Sequence, residues 1–294
     1  MMKIGFIGLG QMGKHIALNL LKSGAELTVI DTRADSFLEF EKRGAKTSTN
    51  LLEIVPADII FLCLPDSNVV HKVLLGENGI IHHLRKGQII VDFSTIKYTT
   101  TLEIAKSLEE KGVKFLDAPV SGMEARAMEG TLTVMCGGKK EVYAEMIPYL
   151  ECMGTKILYM GDTGSGQLTK LINQLLFDIN VAALAEVLPM SVKMGLDPEN
   201  VGEVVNSGTG KSYASEFFIP RILKDSFVDG YPLKNAYKDL ISAAEIGANL
   251  CIPMPVLSAA TTTYQMALLK GHGEKDKGSM IAVFEDLLEV SYRS

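Results

Sequence analysis

Apolar residues in the first half of the chain show two different kinds of spacing. Apolar runs of strand length, bounded by glycine, proline or acidic residues, predict four β-strands, at Ile4–Ile7, Leu27–Ile30, Ile59–Leu64 and Ile89–Asp92. Helical spacing of apolar residues marks three stretches between and after these runs, Met12–Ser23, Ala34–Arg43 and Thr99–Lys111. Apolar strands separated by helices predict a parallel sheet with right-handed crossovers.

The pattern changes near residue 162. Further strands at Lys114–Leu116, Leu132–Cys136 and Ile157–Tyr159, with a helix at Lys140–Glu151, complete the predicted α/β domain. A long helical rhythm then runs from Ser165 to Met194 and ends at Gly195, a residue type suited to helix C-termini, while Pro189 is a candidate kink. We therefore predict an α/β domain over residues 1–162 and an all-helical domain over residues 163–294, joined by a long interdomain helix.

An aspartate followed by a proline marks the start of the second helix of the helical domain. Asp197 is the expected N-cap of the next helix, with Pro198 at its first position. The helical periods that follow cover Ser215–Leu223, Leu233–Ile246, Pro255–Leu269 and Met280–Val290.

Composition narrows the classes of partner. The 294 residues include 29 basic and 35 acidic side chains, a formal charge of −6, so the cationic excess that nucleic-acid binding requires is missing. The four cysteines form no C-x-x-C pair, and the five histidines lack metal-ligand spacing, which predicts neither a disulfide framework nor a metal site.

A soluble, cytoplasmic protein is expected from the remaining features. The N-terminus lacks a signal-peptide pattern. The most apolar helical stretch carries or adjoins Lys170, Asp178, Glu186 and Lys193, which argues against a membrane partner.

A glycine-rich turn follows the first predicted strand and opens the first predicted helix. It reads Gly8-Leu9-Gly10-Gln11-Met12-Gly13. Gly8 permits the tight turn, Gly10 lets the backbone approach a pyrophosphate, and Gly13 lets the helix pack closely on the sheet. The amides and dipole of the helix start add an anion site. This context predicts a Rossmann-type dinucleotide site, and Leu64, Pro65 and Thr95 are counted among its candidate cofactor contacts.

Two residues after the second strand bear on the choice of cofactor. Asp31 can accept hydrogen bonds from both ribose hydroxyls of NAD and repels a 2′-phosphate, although a strand-end aspartate beside a turn is also an ordinary structural feature. Arg33 is able to stack on adenine or to clamp a 2′-phosphate, which keeps NADP open. We expect NAD to be preferred.

The start of the long helix holds the candidate catalytic group. Gly166, Lys170, Asn173 and Gln174 fall on one face by i, i+3 and i+4 spacing. A glycine one turn before the lysine is expected to leave room for a ligand. A structural interpretation competes with this one: if the apolar residues Leu168, Leu171, Ile172, Leu175 and Leu176 form the buried stripe, Lys170 lies on the solvated side. From the residues alone this structural interpretation is favoured, because exposed lysines are frequent on amphipathic helices.

Four blocks in order make the chain resemble the β-hydroxyacid dehydrogenase family, part of the 6-phosphogluconate dehydrogenase-like superfamily. They are the Gly8–Gly13 turn, Asp117-Ala118-Pro119-Val120-Ser121-Gly122, the segment from Gly164 through Lys170 to Asn173, and Lys238-Asp239-Leu240. The segment Asp92–Ile96 is similar to the family's strand end beside the nicotinamide. The resemblance extends over essentially the whole chain.

The resemblance implies an NAD(P)-dependent oxidoreductase that interconverts a small 3-hydroxy acid and its semialdehyde or keto acid. Lys170 then matches the general acid/base. Ser121, Gly122 and the following Met123 match the loop that holds the substrate carboxylate, and Asn173 and Gln174 match positions that orient substrate. Lys238 matches a lysine that lines both substrate and cofactor. Burial of Lys170 beside a second cation such as Lys238 is expected to lower its pKa toward that of a useful base. The resemblance also implies a homodimer or homotetramer assembled through the helical half.

Two departures from the family pattern leave the substrate open. Met123 stands where most relatives have a second glycine, and a methionine does not readily adopt positive φ and fills volume near the carboxylate loop. Gln174 replaces an asparagine of some relatives. Arg126, close downstream, is either a further carboxylate clamp or a plain surface arginine.

Two other functions remain as alternatives. One is an imine reductase of similar architecture, disfavoured because such enzymes usually carry a different residue at the position of Lys170. The other is a protein that binds NAD(P) without turnover, for which the glycine turn alone suffices.

Overall fold

Two compact units make up the protein. The computed structural model describes residues 2–22, 24–228 and 230–293. The backbone divides into Met1–Lys170, here the N-terminal unit, and Leu171–Ser294, the C-terminal unit. This division falls inside one long helix, whereas the boundary expected at residues 162/163 lies just before that helix.

Nine strands form one sheet in the described part of the N-terminal unit. They are β1 (Lys3–Ile7), β2 (Glu26–Ile30), β3 (Lys46–Ser48), β4 (Ile59–Leu62), β5 (Ile89–Asp92), β6 (Lys114–Asp117), β7 (Val120–Ser121), β8 (Leu132–Gly138) and β9 (Gly154–Gly161). The spatial order is β3-β2-β1-β4-β5-β6-β8-β7, and β9 pairs with β8.

The sheet is parallel through its first six strands, as predicted. β1 pairs with β2 and β4, β2 with β3, β4 with β5 and β5 with β6, all in parallel. This is the strand order of dinucleotide-binding folds. β8 then runs antiparallel to both β6 and β7. The sequence did not predict this reversal, because an apolar run does not encode the direction of its strand.

Helices alternate with these strands. They are α1 (Gly13–Leu21), α2 (Phe37–Glu41), α3 (Ser67–Leu75), α4 (Tyr98–Glu110), α5 (Met123–Glu129), α6 (Lys140–Leu150) and α7 (Ser165–Lys193). The helices expected to begin at Met12 and Ala34 are shorter than predicted, and Ser23 lies outside the described residues. Helices α3 and α5 and strands β3 and β7 were not predicted, because short elements show too little periodicity.

Strands buried on both faces explain the continuous apolar runs. Phe6 of β1 and Phe61 of β4 stack on one face with ring centroids 6.4 Å apart, and Phe93, just after β5, lies 5.5 Å from Phe61. The neighbouring residues Ile7 and Ile60 belong to a separate apolar cluster. Because successive side chains of a strand point to opposite faces, these two clusters cover the two sides of the sheet.

The C-terminal unit is helical, as predicted. It continues α7 and adds α8 (Pro198–Ser207), α9 (Tyr213–Leu223), α10 (Leu233–Asn249), α11 (Pro255–Leu269) and α12 (Ile281–Leu288). Pro189 lies inside α7, and Gly195 adopts φ 79° just after the helix ends. Asp197 caps α8, since its carboxylate accepts a hydrogen bond of 2.8 Å from the Asn200 N–H.

A buried ion pair lies within the apolar interior of the C-terminal unit. The Lys277 Nζ donates to Asp178 Oδ1 of α7 at 2.5 Å, and the same ammonium lies 4.0 Å from the ring centroid of Phe177. Both side chains are almost completely buried. The pair therefore places one charged residue of α7 inside the unit rather than in solvent.

The buried face of α7 differs from the predicted one. Ile172 and Leu176, expected in the buried stripe, expose 60% and 61% of their surface. The helix is apolar around much of its circumference, so spacing alone did not identify the buried side.

Within the described residues, α7 is the one helix that is long and apolar enough to span a membrane. Its charged residues had suggested the opposite. Internal helices of soluble proteins meet the same criteria of length and composition.

Candidate active site

Steric constraints fix two glycines of the turn after β1. Gly8 has φ 99°, its N–H donates to the Ile30 carbonyl at 2.9 Å, and a Cβ here would lie 2.3 Å from the Cys63 carbonyl oxygen. A Cβ on Gly13 would lie 2.0 Å from the carbonyl oxygen of Gly8. Any larger residue at either position would force the backbone apart.

The middle of the turn is open. A Cβ on Gly10 would meet nothing within 4 Å, and α1 begins after Met12 without a side-chain cap. An open backbone at an uncapped helix N-terminus suits a phosphate group. These residues therefore fit the pyrophosphate of a dinucleotide.

Asp31 is held against the glycine turn. Its Oδ2 accepts the Leu9 N–H at 2.6 Å, and its Oδ1 accepts the Arg33 N–H at 2.9 Å. The Thr32 hydroxyl also donates to Oδ1, at 3.5 Å. An ionised carboxylate has about four acceptor positions, so one remains for a ribose hydroxyl. The exposed Arg33 side chain lies 3.9 Å from the Asp35 carboxylate, a loose surface pair.

The ends of β4 and β5 are tied together behind the glycine turn. The Leu64 N–H donates to Ser94 Oγ at 2.8 Å, and the Ser94 N–H donates to Asp92 Oδ1 at 2.8 Å. Pro65 is exposed and Thr95 is half-buried beside this pair. The predicted contacts Leu64, Pro65 and Thr95 thus lie at one edge of the sheet, the carboxyl edge, where ligands bind in such folds.

Asp92 is a buried acid that was not among the predicted site residues. Burial raises its pKa to about 7, against the lowering effect of hydrogen bonds from the Ser94 hydroxyl and N–H. Among the described residues its Oδ2 has no hydrogen-bond partner. A strand-end aspartate gives no sequence signal of such an environment.

The predicted carboxylate loop contains a strained residue. Gly122 adopts φ 142°, and Met123 adopts φ 60° at the start of α5. The expectation that a methionine here would avoid positive φ is therefore wrong: Met123 keeps the left-handed backbone at a cost of order 1 kcal/mol. Such strain is sustained where surrounding contacts fix the backbone.

Glu124 supplies contacts of that kind. Its carboxylate accepts the Gln11 side-chain amide at 2.7 Å and lies 3.1 Å from His15 Nε2. The start of α5 is thereby joined to the glycine turn and α1. The two predicted binding loops are held next to each other through side chains.

Lys170 is buried. It exposes only 9% of its surface, so the interpretation that places it on a solvated face is wrong. Asn173 and Gln174 follow one turn later on α7, the former exposed and the latter half-buried, and Lys238 is half-buried on α10. These last three residues belong to the C-terminal unit.

Hydrogen bonds hold the first turn of α7 against the rest of the N-terminal unit. The Gln167 side chain bonds to the backbone after β5, and the Asp117 carboxylate accepts N–H groups at the helix start. Neither was a predicted site residue. Asp117 stood in a family-like block without a role, and Gln167 resembled an ordinary polar helix residue. Among the described residues no cluster of three or more His, Cys, Asp or Glu side chains is placed to hold a metal ion.

Comparisons with known proteins agree with this arrangement. Residues 3–161 match the family described as the NAD binding domain of 6-phosphogluconate dehydrogenase. Residues 164–284 match the family described as NAD-binding of NADP-dependent 3-hydroxyisobutyrate dehydrogenase.

Full-length relatives are similar over nearly the whole chain. The chain is 38% identical to 2-(hydroxymethyl)glutarate dehydrogenase of Eubacterium barkeri, with 98% of this chain and 97% of the relative covered. It is 35% identical to mitochondrial 3-hydroxyisobutyrate dehydrogenase of Rattus norvegicus, covering 97% and 87%. A crystal structure of 3-hydroxyisobutyrate dehydrogenase from Salmonella typhimurium superposes with a TM-score of 0.88 at 26% identity, covering 97% and 100%.

Imine reductases are more distant. The structure of imine reductase from Pseudomonas sp. gives a TM-score of 0.57 at 18% identity, covering 96% of this chain and 98% of that one. This likeness concerns the fold alone.

Proposed function

The chain belongs to the β-hydroxyacid dehydrogenase family, and from this premise we propose that it interconverts a small 3-hydroxy acid and the corresponding semialdehyde or keto acid. The observation that carries the proposal is the buried Lys170, three residues after a glutamine that is hydrogen-bonded to the segment following β5. A lysine that is buried beside the candidate cofactor site is a candidate for proton transfer or charge stabilisation.

The N-terminal unit holds a nicotinamide cofactor through its glycine turn. The open backbone at Gly10 and the uncapped start of α1 take the pyrophosphate, and Asp31 takes the ribose. We propose that NAD is preferred, because the carboxylate repels a 2′-phosphate while the Arg33 side chain points into solvent beside Asp35. A higher kcat/KM with NADH than with NADPH supports this, and a tenfold preference for NADPH contradicts it.

Lys170 moves the proton. When bound, the nicotinamide gives or accepts a hydride. During reduction the Lys170 ammonium protonates the developing alkoxide and stabilises its charge, and during oxidation the neutral amine accepts the hydroxyl proton. The Ser121 hydroxyl and the backbone N–H groups of Gly122 and Met123 bind the substrate carboxylate in this proposal. Asn173, Gln174 and Lys238 orient the substrate.

The substrate class follows from the relatives and is tested by a panel. One relative acts, by its name, on 2-(hydroxymethyl)glutarate and another on 3-hydroxyisobutyrate. We expect turnover with a member of a set that contains these two hydroxy acids, succinic semialdehyde, glyoxylate, methylmalonate semialdehyde and tartronate semialdehyde. A cyclic imine serves as the negative control, and reduction of the imine alone supports the imine reductase alternative.

The Lys170→Ala variant tests the mechanism. Loss of the general acid/base is expected to lower kcat by about 10²-fold or more while the cofactor dissociation constant changes little. Lys193→Ala, at the exposed far end of the same helix, is the matched control and keeps full activity. Unchanged turnover in Lys170→Ala eliminates the lysine mechanism, whereas a wild type that binds the cofactor and turns over no member of the panel favours the protein that binds NAD(P) without turnover.

We propose in addition that two copies associate through the outer face of α7. Its exposed apolar residues in the C-terminal unit, Ile172, Leu176, Val187 and Met190, fall on one narrow face, and the exposed Met194 just after the helix end continues it. At 1.5 Å per residue this stripe is about 33 Å long. An unbroken stripe of that length matches the same helix of a second copy, as a two-fold symmetric interface requires.

Light scattering tests this association. The wild type is expected to be a dimer or tetramer at micromolar concentration, and Leu176→Glu with Met190→Glu to dissociate it. Leu269→Glu, at an exposed position of another helix, α11, is the control and is expected to leave the assembly intact. A monomeric wild type contradicts the proposal, and a monomer that co-sediments with lipid vesicles assigns the stripe to a membrane surface instead.

A further inference from the structure

A carboxylate from the middle of the N-terminal unit caps the helix that carries Lys170. Asp117, the last residue of β6, accepts the Gly164 N–H on Oδ1 at 2.6 Å and the Gln167 N–H on Oδ2 at 2.9 Å. These donors belong to the start of α7, where backbone N–H groups have no partner within the helix. Asp117 lies 50 residues before Gln167 in the chain and is fully buried. It acts as an N-cap supplied by another element.

Glycines around Asp117 make the fit close. A Cβ on Gly166 would lie 2.7 Å from Asp117 Oδ2 and 2.3 Å from the Met135 carbonyl oxygen. A Cβ on Gly137 would lie 2.7 Å from Asp117 Oδ1. The absence of side chains at both positions lets the helix start touch β6 and β8 directly.

Gln167 adds a second anchor in another direction. Its Oε1 accepts the Ile96 N–H at 3.2 Å, and its Nε2 donates to the Ser94 carbonyl at 2.7 Å. The side chain exposes only 3% of its surface. It therefore bridges α7 to both sides of Thr95, in the segment that follows β5.

The two anchors determine where the next turn of α7 lies. Lys170 follows Gln167 by three residues and Gly166 by four, so it sits one helical turn beyond both contacts. Because a helix start held from two directions can neither slide nor rotate, the Cα of Lys170 keeps one position relative to Ser94–Ile96. We infer that Asp117 and Gln167 are positioning residues that set the reach of the Lys170 amine toward the reacting substrate oxygen. This inference rests on the proposed function of Lys170.

A matched control lies at the opposite edge of the same sheet. Gln88, just before β5, exposes 2% of its surface, accepts the Arg85 N–H and donates to the carbonyls of Val55 and Ala57. Like Gln167 it is a buried glutamine that links backbone segments. It lies at the amino edge of the sheet, whereas Gln167 binds the carboxyl edge.

The experiment compares Gln167→Ala with Gln88→Ala. Both are expected to lower the thermal midpoint, because each leaves buried backbone groups unsatisfied. Only Gln167→Ala is expected to lower kcat, by about tenfold or more, with little change in KM or in the cofactor dissociation constant measured by fluorescence. Gln167→Met, which keeps the volume of the side chain, provides a second variant if Gln167→Ala folds poorly. Equal kcat losses in the Gln167 and Gln88 variants, or no loss in either, overturn the inference.

A double-mutant cycle separates positioning from general damage. If Gln167 acts through Lys170, Gln167→Ala costs nothing more in a Lys170→Ala background, whereas a merely structural role gives multiplying losses. Hydrogen exchange gives a readout that needs no turnover: in Asp117→Asn, the amides of residues 164–170 are expected to exchange faster, while those of α1 do not change. Unchanged exchange in that segment contradicts the cap. A Lys170→Ala variant with full activity refutes the proposed function instead.

Discussion

Helices α1 and α7 both begin after a turn that contains glycine, at the edge of one sheet. Their first turns differ, because one is open to a ligand and the other is filled by the protein itself. The start of α1 has no side-chain cap, and a Cβ on Gly10 would meet nothing within 4 Å. The start of α7 is filled, with its amides bound to Asp117 and a Cβ on Gly166 only 2.3 Å from a carbonyl oxygen. An open helix start is able to receive an anionic ligand, whereas a start already neutralised by the protein's own carboxylate holds a side chain in place.

The largest expected effect comes from filling the closed turn. Gly166→Ala forces its Cβ against the Met135 carbonyl and the Asp117 carboxylate, both of them buried. We expect a loss of roughly 3 kcal/mol in the free energy of unfolding, because neither backbone nor a buried carboxylate can yield easily. Urea denaturation measures it. A variant as stable as the wild type would show that the turn is looser than its geometry indicates.

Two buried aspartates end neighbouring strands, Asp92 at the end of β5 and Asp117 at the end of β6. Burial raises the pKa of Asp117 to about 6, and hydrogen bonds from the N–H groups of Gly164 and Gln167 oppose this rise. Burial raises the pKa of Asp92 further, to about 7. The folded state therefore keeps a proton on Asp92 at pH values where the unfolded chain, with a pKa of about 3.9, has released it. The stability contributed by protonated Asp92 is complete below about pH 4 and is lost as the pH rises to about 7.

Asp92→Asn removes this titration. The variant is expected to gain stability relative to the wild type as the pH rises from 4 to 7, by an amount on the order of 3 kcal/mol, and the difference levels off about one pH unit higher. Denaturation at several pH values provides the measurement. A difference that does not vary with pH would mean that Asp92 is ionised throughout.

The smallest effect on stability is expected in the open turn. Gly10→Ala adds a methyl group where no protein atom lies within 4 Å, so the free energy of unfolding without cofactor changes by less than about 0.5 kcal/mol. The same methyl group occupies the approach of the pyrophosphate, and cofactor affinity is expected to fall about tenfold. Titration calorimetry with NADH checks this. Full affinity would place the dinucleotide elsewhere, and a stability loss like that of Gly166→Ala would erase the contrast between the turns.

A glycine could be interpreted from the sequence where neighbouring residues explain why glycine is needed at that position. The spacing of Gly8, Gly10 and Gly13 after a strand predicted the turn, since a tight turn and close helix packing restrict those positions to glycine. The reason for Gly166 was different from the one expected. The sequence suggested room for a ligand, and the structure places Asp117 and Met135 against that position.

Local periodicity and turn chemistry determined most of the longer strands and helices, the parallel half of the sheet, the all-helical second unit and the candidacy of Asp31, while the resemblance to a family pointed to Lys170. The tertiary structure alone decided the antiparallel strands β7 and β8, the exposed face of α7, the positive φ of Met123 and the anchoring of Lys170 by Asp117 and Gln167. Burial and hydrogen bonding between residues some 50 positions apart depend on which surfaces meet, and no window of neighbouring residues contains that information.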